Sequence, residues 1–270
     1  MSRICGRSAV GVSPGPSQLN KKANLMKLMK TIAVVAAILG ASAPMGAMAQ
    51  DAAPESYLPG TFTGNVALTS DYVFRGLSQS WNGPAIQGGM DWDTGAGFHF
   101  GLWVSSVNFK DGGQASVETD LYGGYAGKIE NFSYDLGFIY YWYPGALGSL
   151  NYDLWEVYGK AGYDFGPAQA SFGVNYTPDN FGGTDTAVYF NTGLTVPITD
   201  KFSINGAVGY WDLKAPLANA WDWNVGAKLN VNNWFTVDAR YYDTNIAGDC
   251  VIVGKKTCGA KGVVTISRSF

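Results

Sequence analysis

Phe132-Ser-Tyr-Asp-Leu-Gly-Phe-Ile-Tyr-Tyr-Trp142 is the stretch on which the fold of this chain turns. Phe132, Tyr134, Leu136, Phe138, Tyr140 and Trp142 share one face, while Ser133, Asp135 and Gly137 begin the other. Alternation at period two marks a strand, because successive side chains point to opposite sides of a sheet. In water such an apolar face packs on a second sheet; in a membrane barrel it meets lipid.

The pattern recurs along the chain. Candidate strands are 61–75, 84–93, 97–109, 116–129, 131–143, 153–164, 168–177, 185–197, 201–212, 220–230, 233–243 and 260–270. Most reach the 9–11 residues that cross a bilayer at a tilt, and soluble sandwich strands are usually nearer 5–6. Tight connections such as Thr94-Gly95-Ala96, Glu130, Gly166-Pro167 and Val231-Asn232 alternate with longer ones at 76–83, 110–115, 144–152, 178–184, 213–219 and 244–259. Short turns on one side and long loops on the other are the asymmetry of an outer-membrane barrel. The reading is all-β: an antiparallel transmembrane barrel of about 12 strands over residues 61–270, after a short periplasmic lead at 50–60. A periplasmic β-sandwich also alternates, but needs neither aromatics at its strand ends nor an aromatic C-terminus.

Composition agrees. Gly (36), Tyr (16), Phe (14) and Trp (9) are plentiful, and only 14% of residues are charged. Near-neutral mean hydropathy fits lipid-facing and lumen-facing residues that cancel. Residues 1–49 form an N-terminal extension and signal peptide: Lys27 and Lys30 precede the apolar Thr31–Leu39, and Ala47-Met48-Ala49 places cleavage between Ala49 and Gln50. Met26 is a more natural start than Met1, although a long basic region is the alternative. All 21 acids follow the signal, against 12 Lys and Arg, leaving the mature chain at −9. That disfavours nucleic acid, and none is expected as a partner, since phosphate binding needs basic clusters.

Cys250 and Cys258 lie in an exported chain, where a loop-closing disulfide is expected and two free thiols are the alternative. A zinc site there lacks further ligands. Phe270 ends an apolar strand with Val264 and Ile266 and resembles the signal read by the barrel-assembly machinery, although Arg268 interrupts that face.

Thr69-Ser-Asp-Tyr-Val-Phe-Arg-Gly-Leu-Ser-Gln-Ser80 resembles the opening signature of the TorF porin family, a proteobacterial group of exported proteins. Gly101-Leu-Trp-Val-Ser-Ser106 and Glu118-Thr-Asp-Leu-Tyr-Gly-Gly-Tyr125 resemble later segments of the same family. The resemblance implies an outer-membrane barrel with a pore role and carries no catalytic residues.

Strand parity assigns the lumen. The acids facing it are Asp71, Asp91, Glu118, Asp120, Asp135, Glu156, Asp222 and Asp238; the bases are Arg75, Lys128, Lys160, Lys228 and Arg240, with the single His99 beside them. These charges either line a water-filled ion path or pair internally and hold the barrel closed. Tyr140, Trp142, Trp221 and Tyr241 read as interface aromatics. The Gly-Gly pairs lack the spacing of a phosphate loop, and His99 has no nucleophile or metal partner in view. No enzyme and no cofactor are expected. The expected function is a porin passing ions or small polar solutes across the cell outer membrane, with its lipid and the assembly machinery as partners. The alternative is a non-conducting structural or binding barrel whose long loops meet a ligand or partner.

Overall fold

A computed structural model describes residues 59–214, 217–231, 234–246, 250–252 and 254–270. The signal segment, its Ala49–Gln50 junction and most of the 50–60 lead lie outside these residues. In chain order the strands are β1 (Thr61–Thr69), β2 (Val73–Phe74), β3 (Leu77–Ser78), β4 (Ala85–Asp93), β5 (Phe98–Ser106), β6 (Val117–Ile129), β7 (Phe132–Trp142) and β8 (Leu154–Asp164). They continue with β9 (Gln169–Thr177), β10 (Ala187–Pro197), β11 (Phe202–Leu213), β12 (Ala220–Val231), β13 (Phe235–Thr244), β14 (Val251–Ile252), β15 (Lys255–Lys256) and β16 (Lys261–Ser269). Twelve of these close a barrel in the order β1, β4 to β13, β16, and β16 returns antiparallel to β1. The pairs β2–β3 and β14–β15 are small hairpins outside the wall.

Alternation decides which face is which. Along β7, Leu136 is 60% exposed on the outside, while Ile139 and Tyr141 on the opposite parity are buried within the ring. Ile86, Met90, Leu121, Val225 and Ile266 continue the apolar outer band around other strands. Closing the sheet removes the open edges that would otherwise expose unpaired backbone groups. At the seam, Gly64 and Phe270 exchange backbone hydrogen bonds of 2.8 and 2.9 Å beyond the last paired residues. The Phe270 ring lies so close over Gly64 that a Cβ there would meet it at 2.6 Å, so a larger residue would make the ring swing aside.

The wall departs from the sequence reading in two places, and the smaller is the strand expected over 97–109, which ends at Ser106 and leaves Phe109 buried in the inward loops. The first strand, expected over 61–75, ends at Thr69. Thr69 Oγ1 then donates to the Asp71 carbonyl (2.9 Å) as the chain turns off the wall. Residues Asp71–Ser80 are buried apart from the half-buried Val73, with Tyr72 at 5% and Phe74 at 6% exposed. Tyr72 and Phe74 keep the parity of a lipid face but occupy the lumen. The β2–β3 hairpin turns through Arg75 (φ 42°) and Gly76 (φ 80°), the two positive angles of a two-residue turn matched to strand twist. A Cβ on Gly76 would come within 2.7 Å of Thr244 Cβ at the end of β13, at a positive φ that already disfavours any larger residue.

Candidate functional site: the lumen constriction

The hairpin crosses the barrel. Arg75 at its tip reaches Glu156 on β8 (Nη2 to Oε2, 2.9 Å), with both side chains almost fully enclosed. Glu156 also accepts from Tyr141 Oη (3.1 Å) and Asn175 Nδ2 (2.9 Å), so its carboxylate is fixed from three directions. The Arg75 guanidinium lies 4.6, 4.2 and 5.1 Å from the ring centres of Phe74, Tyr189 and Trp211. Such ring faces attract a cation, more strongly where water is excluded. Beside them Asp222 accepts from Tyr189 Oη at 3.0 and 3.2 Å.

Nearer the base of the hairpin, Tyr72 donates to Glu118 (2.9 Å), and Asp120 on the same face of β6 leaves Oδ1 buried without a hydrogen-bond partner. Among the described residues, Glu118, Asp120 and Asp222 have no basic group within salt-bridge distance. Around Arg75 the constriction therefore gathers four wall acids, counting Glu156, while its other basic group, Lys261, is engaged by Asp71.

A second set of contacts ties the hairpin to the last loop. Asp71 accepts from Ser78 Oγ (2.5 Å), Ser80 Oγ (2.9 Å) and Lys261 Nζ (3.2 Å). Lys261 also donates to Asn82 Oδ1 (2.7 Å), and Asn82 Nδ2 donates to the Lys256 carbonyl (2.7 Å). Ser78 N donates to the Thr257 carbonyl (2.8 Å), and Leu77 bridges to Cys258. Cys250 and Cys258 are joined by a disulfide, Cα to Cα 5.8 Å, and both are buried beneath this contact. A third inward element comes from the loops around Phe109, Tyr143, Tyr152 and Phe181, whose rings pack together, Tyr152 on Phe181 at 4.2 Å.

Towards the rim where β1 begins and β16 ends, the lumen opens and its charges are partly exposed. His99 Nε2 lies 2.9 Å from Asp135 Oδ1, with Lys160 Nζ at 3.8 Å from the other oxygen of the same carboxylate. Asp91 accepts from Tyr122 Oη. Arg240 donates to Asp238 (2.8 Å), Asn224 (2.5 Å) and Asn205. Lys228 stands opposite Asp238 in the ladder, and Lys128 is exposed at the rim. Pairing and path thus coexist at different depths. Two sequence-assigned lumen residues, Asp71 and Arg75, reach the interior from the hairpin rather than from the wall. Lys261, Tyr189 and Trp211 complete the constriction and were not singled out, although each keeps the inward parity of its strand. No group of three or more metal-ligating side chains occurs among the described residues.

A closed twelve-stranded barrel with an apolar exterior and a charged interior defines the class: this is a porin-like β-barrel fold. The chain belongs to the bacterial family described as "Bacterial protein of unknown function (Gcw_chp)", whose model matches residues 51–270. No curated protein matches the chain by sequence. Among solved structures it is similar to the KdgM porin, with TM-score 0.54 and 11% identity over 77% of this chain and 99% of that one. It is also similar to the NanC porin (TM-score 0.51, 11% identity, 77% and 98% covered). A further similar structure is the KdgM porin in complex with disordered oligogalacturonate (TM-score 0.51, 10% identity, 78% and 99% covered). At such identities these likenesses establish the fold.

Proposed function

We propose that the chain is a channel of the bacterial outer membrane through which ions and small polar solutes diffuse past the β2–β3 hairpin. The observation that carries this is the interior of the barrel: His99, Asp135, Lys160, Asp238 and Arg240 are partly exposed inside a closed ring whose exterior is apolar. Ionisable groups reached by solvent within an apolar wall suit a hydrated path. Fold-level likeness to porins and the TorF resemblance of the hairpin sequence point the same way, as analogy. The signal segment and the Phe270 terminus fit export, cleavage after Ala49 and insertion by the assembly machinery, and no residue is assigned a catalytic role.

The second reading, a non-conducting binding barrel, is favoured by the depth at which Tyr72, Phe74, Leu77 and Gln79 fill the loop-side half of the lumen. Planar-bilayer recording separates the two. Step conductance from the refolded mature chain, enlarged when 71–80 is replaced by a short Gly-Ser linker, supports the channel. Silence from both proteins overturns it.

A further inference from the structure

The groups that receive Arg75 belong to the wall. Glu156, Tyr189 and Trp211 sit on β8, β10 and β11, whose backbones pair within the barrel ladder and not with the hairpin. Tyr189 and Trp211 stand nearly perpendicular (80°, centroids 6.3 Å apart), presenting aromatic surface on two sides of the guanidinium while Glu156 meets it in hydrogen-bonding distance. Ring faces plus a fixed carboxylate are the chemistry that recognises a planar organic cation, and a guanidinium matches it in shape and charge, with Nη2 of Arg75 bonded to Glu156 and its buried Nε left without a partner. The seat is also richer in acid than its occupant requires. Glu118, Asp120 and Asp222 line the same constriction without a salt-bridge partner among the described residues, and Asp120 Oδ1 lacks any hydrogen bond.

We propose that Glu156, Tyr189 and Trp211 form a binding site for guanidinium-bearing solutes, occupied in this conformation by the chain's own Arg75. A guanidinium solute then competes with the hairpin for one seat, so that binding and opening are the same event. The route by which a solute arrives rests on the channel reading; the existence of the site does not.

The test uses the refolded mature protein in detergent, with methylguanidinium as probe and urea as an uncharged control of similar shape. In Arg75→Ala the seat is empty, and methylguanidinium should raise the thermal midpoint along a saturating curve, because a ligand bound only by the folded state stabilises it. Urea at equal concentration should give no rise. Adding Glu156→Gln should raise the concentration needed about tenfold or more, as expected for loss of a charged hydrogen bond. Wild type, whose seat is filled, should show no saturable rise over the same range. If Arg75→Ala fails to refold, its refolded fraction is measured with and without methylguanidinium, and an increase is expected. Absence of a saturable effect in Arg75→Ala, an equal effect of urea, an equal effect in wild type, or indifference to Glu156→Gln overturns the proposal. No current is recorded, so a non-conducting barrel would end the channel reading and leave this result standing.

Discussion

Arg75 Nη2 and Glu156 Oε2 stand 2.9 Å apart across the lumen, although 81 positions separate them in the chain. Both side chains are nearly fully enclosed, at 4% and 1% exposure. Removing one member strands the other, which costs roughly 3–5 kcal/mol for a buried pair, whereas replacing both with apolar residues of similar size is often close to neutral. Arg75→Ala should therefore destabilise the barrel strongly, and Arg75→Met with Glu156→Leu should recover only part of the loss, because Tyr141 Oη and Asn175 Nδ2 then lose their acceptor. Urea unfolding of the refolded proteins checks this; equal loss in the single and double variants would show that the pair itself is not what holds the tip.

The disulfide should act on the hairpin through contact rather than through the wall. Leu77, Ser78 and Asn82 all bond to the segment at Lys256–Cys258, which the Cys250–Cys258 link closes. On the chain-entropy estimate a link closing so short a loop contributes about 2–3 kcal/mol. Replacing both cysteines with Ser should leave the heat stability of the wall nearly unchanged and make residues 71–80 more susceptible to protease or more mobile in single-channel noise. Unchanged behaviour of the hairpin would show that the last loop does not retain it. Thiol labelling of unreduced, denatured mature protein should find no reactive cysteine.

Leu136→Arg or Phe138→Arg should cost roughly 2–4 kcal/mol in lipid, because a charge on the outer face near the midplane meets hydrocarbon. Asp135→Arg carries no such lipid cost. It does lose the contacts that Asp135 makes with His99 (2.9 Å), Tyr158 (3.4 Å) and Lys160 (3.8 Å), so its effect should appear equally in detergent and bilayer. Refolding yields into vesicles, compared with detergent stability, distinguish the two kinds of loss.

The excess of acid at the constriction predicts mild cation preference in any current that passes. At a pH where both carboxyls are ionised, Glu118→Gln with Asp120→Asn should move the reversal potential in a salt gradient towards zero, since a buried carboxyl attracts counter-ions only when charged. The preference should fade as salt rises, because screening shortens to about 3 Å at 1 M. Anion preference in wild type, or no shift in the double variant, would remove both residues from the ion path.

Residues 132–142 show how far sequence reading reaches. Their alternation gives strand, face and approximate length, because burial on a pleated wall has a period the eye can count. The same rule misleads at Tyr72 and Phe74, which keep the outward parity of β1 after the chain has left it. Arg75-Gly76 carries a local turn signal, yet nothing local states that the turn points inward. That direction is set by partners remote in sequence: Glu156, Thr244 and Lys261. Parity found the inner acids on β6, β8 and β12 for the same reason that it missed the constriction, since it sees walls and not what crosses them.

The Gly64–Phe270 seam joins nearly the first described wall residue to the last residue of the chain. Arg75 emerges between the first two staves, while its seat is built by staves that arrive much later. During biogenesis the tip consequently has nowhere to dock until β8, β10 and β11 are in line, and the ring has no circumference until residue 270 is delivered. Docking and closure are thus late events with long loop-closure distances, which are intrinsically slow.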